Sequence, residues 1–106
     1  HPRAMAAYKV GAEAGDGDCQ FALGVIYYHG LGVAVDDEQA RAWLEKAAAQ
    51  DNPDAVGMLG TMYAEGNGVS PSWRRARELY KRAIELGNSM AVKGMQTLTR
   101  NIQAVS

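Results

Sequence analysis

A chain of 106 residues has room for one compact domain, and a hydrophobic content of 47% is enough to give that domain a core. Eleven basic residues against twelve acidic ones leave a net charge of −1, which argues against a nucleic-acid binder or an anionic-membrane binder, because both need a clear basic excess. No apolar run approaches the roughly 18 residues of a membrane span. Cys19 alone makes neither an internal disulfide nor a zinc site, and His1 and His29 offer no metal cluster. No secretory leader is recognisable. A start on His1 rather than Met is read as a processed or trimmed chain, so no compartment, cytoplasmic or periplasmic, is assigned.

Taken in chain order, residues 3–17 read as a first helix. Residues 18–29 place Ala22, Leu23, Ile26 and Tyr27 on one apolar stripe of a second helix. Gly30 is a natural stop, since glycine accepts the left-handed conformation beyond a helix C-terminus, and Gly32 keeps the next loop tight. Asp36 is the expected N-cap of a third helix, with Gln39 as its capping-box partner. The inner stripe of that helix is Ala40, Trp43, Leu44, Ala47 and Ala48, and it ends near the turn sequence Asp51-Asn52-Pro53.

The pattern then starts again. Residues 19–54 align without a gap on 55–90, with identities at 10 of 36 positions, enough to establish a repeat because they cluster in order. The pairs are Leu23/Leu59, Gly24/Gly60, Tyr27/Tyr63, Gly30/Gly66, Gly32/Gly68, Val33/Val69, Ala40/Ala76, Arg41/Arg77, Ala47/Ala83 and Asn52/Asn88. In the second copy the cap before the second helix is either Ser70, which Pro71 favours, or Ser72, which the register favours. The last segment, 89–104, carries Ala91, Val92, Met95, Leu98 and Ile102 at helical spacing. It never reaches a G-x-G-V turn, Gln96 stands where the repeat has glycine, and it reads as a capping helix. The organisation is therefore a half-repeat over 3–17, repeats over 18–53 and 54–88, and a cap over 89–106. An orphan second helix at the start raises the expectation of end-to-end stacking with further repeats.

Leu23, Gly24, Tyr27, Gly30, Gly32 and Val33, then Asp36, Ala40, Trp43, Lys46, Ala47 and Ala48, then Ala55, Leu59 and Gly60 resemble the Sel-one-like repeat. The second copy keeps the first block as Leu59, Gly60, Tyr63, Gly66, Gly68 and Val69, and departs later with Ser72, Leu79 and Ile84. The resemblance covers roughly residues 4–98. It implies an all-α, α/α superhelix: a right-handed solenoid of antiparallel helix pairs close to the tetratricopeptide repeat. It also implies a scaffold or adaptor that binds a protein or peptide on its concave face, uses no cofactor and is not an enzyme. Members serve mostly in bacterial signalling, envelope assembly and host interaction, and in eukaryotic quality control. Some secreted relatives brace each repeat with a cysteine pair, which this chain lacks.

In related repeats the first helix of each pair lines the concave surface. Groove positions are therefore sought 36 residues apart on successive first helices. One column is Val25, Thr61 and Thr97; a second is Tyr28, Ala64 and Arg100; a third is His29, Glu65 and Asn101. Tyr27, Tyr63 and Trp43 are read as packing residues, and Cys19, opposite Ala55, as a core thiol. Trp73 is open between a partner anchor and burial against the preceding loop. His29 lacks the nucleophile and orienting acid that a catalytic base needs. Arg74, Arg75, Arg77, Lys81 and Arg82, interrupted by Glu78 and Glu85, read as a solvated face with i,i+4 pairing, with a weak site for an acidic partner as the alternative. The sequences G-L-G-V and G-N-G-V follow helices and lack the G-K-[ST] of a phosphate loop.

Overall fold

The computed structural model describes the backbone of residues 2–105 and the side chains of residues 5–101; Ile102 falls outside the described side chains. Six helices follow one another: α1 (Pro2–Glu13), α2 (Gly17–His29), α3 (Asp37–Ala49), α4 (Pro53–Glu65), α5 (Trp73–Glu85) and α6 (Met90–Val105). No strand occurs among the described residues. Each helix packs on its chain neighbours, and α4 also touches α2 and α6, so the stack extends to 47 × 27 × 18 Å. Such an elongated body is what stacking of nearest-neighbour repeats produces.

The helix starts share one device. Asp16, Asn52 and Asn88 occupy the same position in successive copies. Asp16 accepts from the amides of Asp18 and Cys19, and Asn52 accepts from Ala55 at 3.0 Å. Asn88 accepts from Met90 at 3.0 Å. These side chains satisfy amides that the helix geometry leaves unpaired. The second helices start the same way. Asp36 accepts from the Gln39 amide at 3.0 Å and from its side-chain amide at 3.2 Å. In the second copy the cap is Ser72, which accepts from Arg75 at 3.2 Å. The register thus prevails over the proline signal. Pro71 is instead a packing residue, covering the spot where a Cβ on Gly66 would lie, 2.6 Å from the proline Cγ. Val35 covers Gly30 in the same way.

Gly30 and Gly66 hold the left-handed conformation at φ 69° and 77°. Each loop is then closed by one backbone bond: the Asp36 amide donates to the Tyr27 carbonyl at 3.0 Å, and the Ser72 amide to that of Tyr63 at 2.9 Å. The cap residue thereby ties the start of one helix to the end of the previous one.

Within each pair the two helices meet at a glycine. A Cβ on Gly24 would lie 2.6 Å from Leu44 Cγ and Cδ2, and one on Gly60 would lie 2.8 Å from Tyr80 Cδ1. Leu44 is fully buried and has no free space to retreat into; Tyr80 is 5% exposed and held by its neighbours along most of its length. The main core runs from Ala40 to Leu98 through Leu44, Val56, Leu59, Met62 and Tyr80. A smaller cluster of Ala12, Leu23 and Ile26 joins α1 to α2, with Trp43 and Cys19 half-buried against it. Val92, expected on the inner stripe of the last helix, is 39% exposed, while Ala91 and Leu98 are buried as the spacing predicts.

Polar side chains sew each turn to the repeat before it. The Gln50 amide donates to the Gly15 carbonyl at 2.8 Å and to Gln20 at 3.0 Å. Asn52 donates to Asp18 at 3.3 Å, Arg82 to the Ala48 carbonyl at 2.9 Å, and Asn88 to the Pro53 carbonyl at 3.0 Å.

A substitution at Gly24 isolates the close approach. Gly24→Ala gains about 0.5–1 kcal/mol of helix propensity and loses ~1–3 kcal/mol to overpacking on Leu44. The expected net result is a lower urea midpoint. Gly17→Ala, whose Cβ would find Gln50 no nearer than 3.5 Å, is expected to leave the midpoint unchanged or raise it.

Candidate functional site

A concavity of about 430 Å³ lies between α4 and α6. From α4 come Thr61, Ala64 and Glu65, spaced three and four residues apart and so on one face. From α6 come Gly94, Thr97, Leu98 and Asn101, again at helical spacing. Trp73 and Tyr80 of α5 complete the lining.

Tyr80 is the residue that connects packing to the concavity. It stands at the repeat position of Leu44 but is longer, and it passes between two glycines. A Cβ on Gly94 would lie 2.6 Å from Tyr80 Cε1, and one on Gly60 would lie 2.8 Å from Cδ1 and 2.9 Å from Cε1 of the same ring. Its hydroxyl therefore reaches through to Thr61, with 2.8 Å between Tyr80 Oη and Thr61 Oγ1. Burial raises the pKa of the Tyr80 phenol above its ordinary value of 10.0, the Thr61 hydrogen bond lowers it, and the Glu65 carboxylate raises it. A second, smaller concavity of about 240 Å³ shares Thr61, Tyr80 and Gly94 with the first. The two form one furrow along the α4–α6 seam.

Five positions of the 36-residue columns therefore line the concavity: Thr61, Ala64, Glu65, Thr97 and Asn101. The others do not. Val25 is half-buried on α2. Tyr28 is half-buried against the main core, and its hydroxyl accepts from the Asn67 amide at 3.2 Å, linking α2 to the loop after α4. Its own phenol pKa is raised, chiefly by burial and then by Glu65. His29 is exposed at the end of α2, with its ring edge-on to Tyr28 at 4.9 Å. Arg100 is exposed on α6 and is not among the lining residues. Tyr27 and Tyr63, read as frame residues, are half-buried against the core.

Trp73, left open by the sequence, is 46% exposed and faces the concavity. The basic stretch also differs from expectation. Arg82 pairs with Asp51 in the preceding turn, and Arg75 lies over the Tyr63 ring at 5.1 Å. Among the described residues, Arg74, Arg77 and Lys81 make no ion pair, so the anticipated i,i+4 pairing on this helix is absent. The contributions of Tyr80 and Gly94 were not anticipated either. The available signal was a tyrosine at the repeat position of Leu44.

No group of three or more His, Cys, Asp or Glu residues that could hold a metal occurs among the described residues. No helix among them is long and apolar enough to cross a membrane.

The paired helices, repeated loops and inter-repeat seam define an α/α helical-repeat solenoid. The Sel1 repeat family model matches residues 17–52 and again 53–88, so the chain belongs to the Sel1 repeat family. The fold is similar to that of a Sel1 repeat protein from Oxalobacter formigenes, with 37% identity, a TM-score of 0.80, and coverage of 85% of this chain and 68% of that one. It is also similar to a protective antigen of uropathogenic Escherichia coli strains that displays an SLR fold, at 31% identity and a TM-score of 0.82. That match covers 89% of this chain but 20% of the antigen. Cysteine-rich protein B of Helicobacter pylori matches at 25% identity and a TM-score of 0.78, over 84% of this chain and 67% of that protein. Comparison with curated proteins returns no match. Sel1 repeats typically serve as non-catalytic modules for protein interaction.

The raised Tyr80 and Tyr28 pKa values have a signed consequence. A phenol whose folded pKa lies above 10.0 contributes stability below pH 10.0 that is lost as pH rises through the folded value. Alkaline titration of unfolding is expected to show a loss of stability above about pH 10 that is shallower in Tyr80→Phe. At neutral pH the same variant is expected to be less stable by about 0.5–1.5 kcal/mol, the worth of one hydrogen bond.

Proposed function

We propose that this chain is a peptide-binding module that holds an extended segment of a protein partner in the furrow between α4 and α6, on the concave side of the solenoid. The observation that carries the reading is the convergence of Thr61, Glu65, Thr97 and Asn101 on one cavity of about 430 Å³ beside an exposed tryptophan; threonine recurs at 61 and 97, while Glu65 and Asn101 stand where the first copy has His29. The glycine, leucine and alanine positions shared between the copies pack, while these positions offer hydroxyl, carboxylate and amide groups to a peptide backbone. Trp73 and Leu98 offer apolar surface. Interfaces of this kind rest on a few aromatic anchors surrounded by polar contacts.

A second reading, a spacer that stacks on further repeats, is supported by apolar side chains near the two ends of the solenoid: Val10 is 70% exposed on α1 and Met90 75% exposed on α6. The two readings separate in one experiment. Peptides selected from a random displayed library are titrated against the native chain and against Thr97→Trp, which fills the cavity from an exposed position on α6. The groove reading expects the dissociation constant to rise at least about tenfold. An unchanged constant rejects it and leaves the spacer.

A further inference from the structure

Trp73 lines two concavities. On one side is the α4–α6 furrow; on the other is a cleft of about 340 Å³ formed with Arg74, Arg77, Glu78 and Lys81 of the same helix. The two therefore adjoin at one exposed indole. Their chemistry differs: the furrow carries Glu65 among hydroxyl and apolar groups, whereas the cleft sets three cations against the single carboxylate of Glu78.

Those cations are not explained by folding. Arg74, Arg77 and Lys81 have no ion pair among the described residues; Arg74 lies over the Trp73 ring at 5.2 Å. Arg74 and Arg75 occupy the first turn of α5, which contains no acidic residue, and there the helix dipole disfavours positive charge. The equivalent first turn of α3 carries Asp37 and Glu38. Between the copies, Asp37, Glu38 and Glu45 are replaced by Trp73, Arg74 and Lys81, while the glycine frame is retained. One face has changed sign and gained a tryptophan in a chain whose net charge is −1.

We infer that the partner segment is acidic, with an apolar side chain seated in the furrow against Trp73 and one or more neighbouring carboxylates set against Arg74, Arg77 and Lys81. This rests on the reading of the furrow as a peptide site and adds the partner's chemistry to it. Glu65 disfavours a carboxylate in the furrow, and the cation cleft favours one, so the apolar and acidic residues are neighbours along the peptide. Arginine at such a rim also pairs well with planar carboxylates.

The test pans a random peptide library on the native chain and on the triple variant R74E/R77E/K81E. The variant keeps the buried face of α5, Ala76, Tyr80 and Ala83, untouched and places an acid in its first turn, where the dipole favours it. The native chain is expected to select peptides with Asp or Glu beside an aromatic or aliphatic residue. Their affinity should fall at least about tenfold in the triple variant, and also fall for the native chain when salt rises from about 50 to 300 mM. The salt arm stands even if the variant does not fold. Native-chain peptides without acidic enrichment, insensitive to salt but weakened by Thr97→Trp, overturn this inference while leaving the furrow reading intact. A library that yields no binder overturns both.

Discussion

In each helix pair a large side chain of the second helix occupies the space where a glycine of the first has no Cβ: Leu44 at Gly24, Tyr80 at Gly60. Without a Cβ on the first helix, the second can approach until its side chain touches backbone. That spacing sets where the loop begins and ends, which is why Gly30 and Gly66 must turn left-handed and why the Asp36 and Ser72 amides meet the Tyr27 and Tyr63 carbonyls. The inter-repeat bonds of Gln50, Asn52, Arg82 and Asn88 then have fixed distances to span. A helix pair cannot bury its apolar stripe alone, so the regularity of this contact is what lets one repeat seat on the next.

The frame was legible in the sequence because it repeats. Glycines, caps and apolar positions recur 36 residues apart and have one physical reading each, and the structure places Leu23, Leu44, Leu59 and Ala83 in the core as that reading requires. The furrow was only partly legible. Positions on α4 and α6 could be reached by adding the period, and Thr61, Glu65 and Thr97 line one cavity. The same arithmetic gave Tyr28, which does not line this cavity: a period fixes a face of the helix but says nothing about a neighbour such as Asn67, which donates to the Tyr28 hydroxyl. Tyr80 and Gly94 were hidden for a related reason. Their importance comes from three helices meeting at one ring, and no single segment carries that information.

The divergence between copies lies in packing and in surface charge together. A repeat that had only to stack could keep the smaller leucine of its first copy and the acidic first turn that suits a helix N-terminus. The second copy has neither. It places a tyrosine where it reaches between α4 and α6, a tryptophan on the furrow, and beside that tryptophan, on α5, three cations that make no ion pair among the described residues. Gly94 accommodates the larger ring, so the added bulk becomes a furrow wall rather than a clash.

The Gly60–Tyr80 contact is the point on which the stack and its furrow both depend, and a double-mutant cycle on that pair measures it. Gly60→Ala is expected to lower stability in the native background by ~1–3 kcal/mol. In a Tyr80→Ala background, where the ring is gone, the same change is expected to be neutral or stabilising by up to about 1 kcal/mol through helix propensity. Equal effects of Gly60→Ala in both backgrounds would contradict the claim that this approach sets the geometry of the stack.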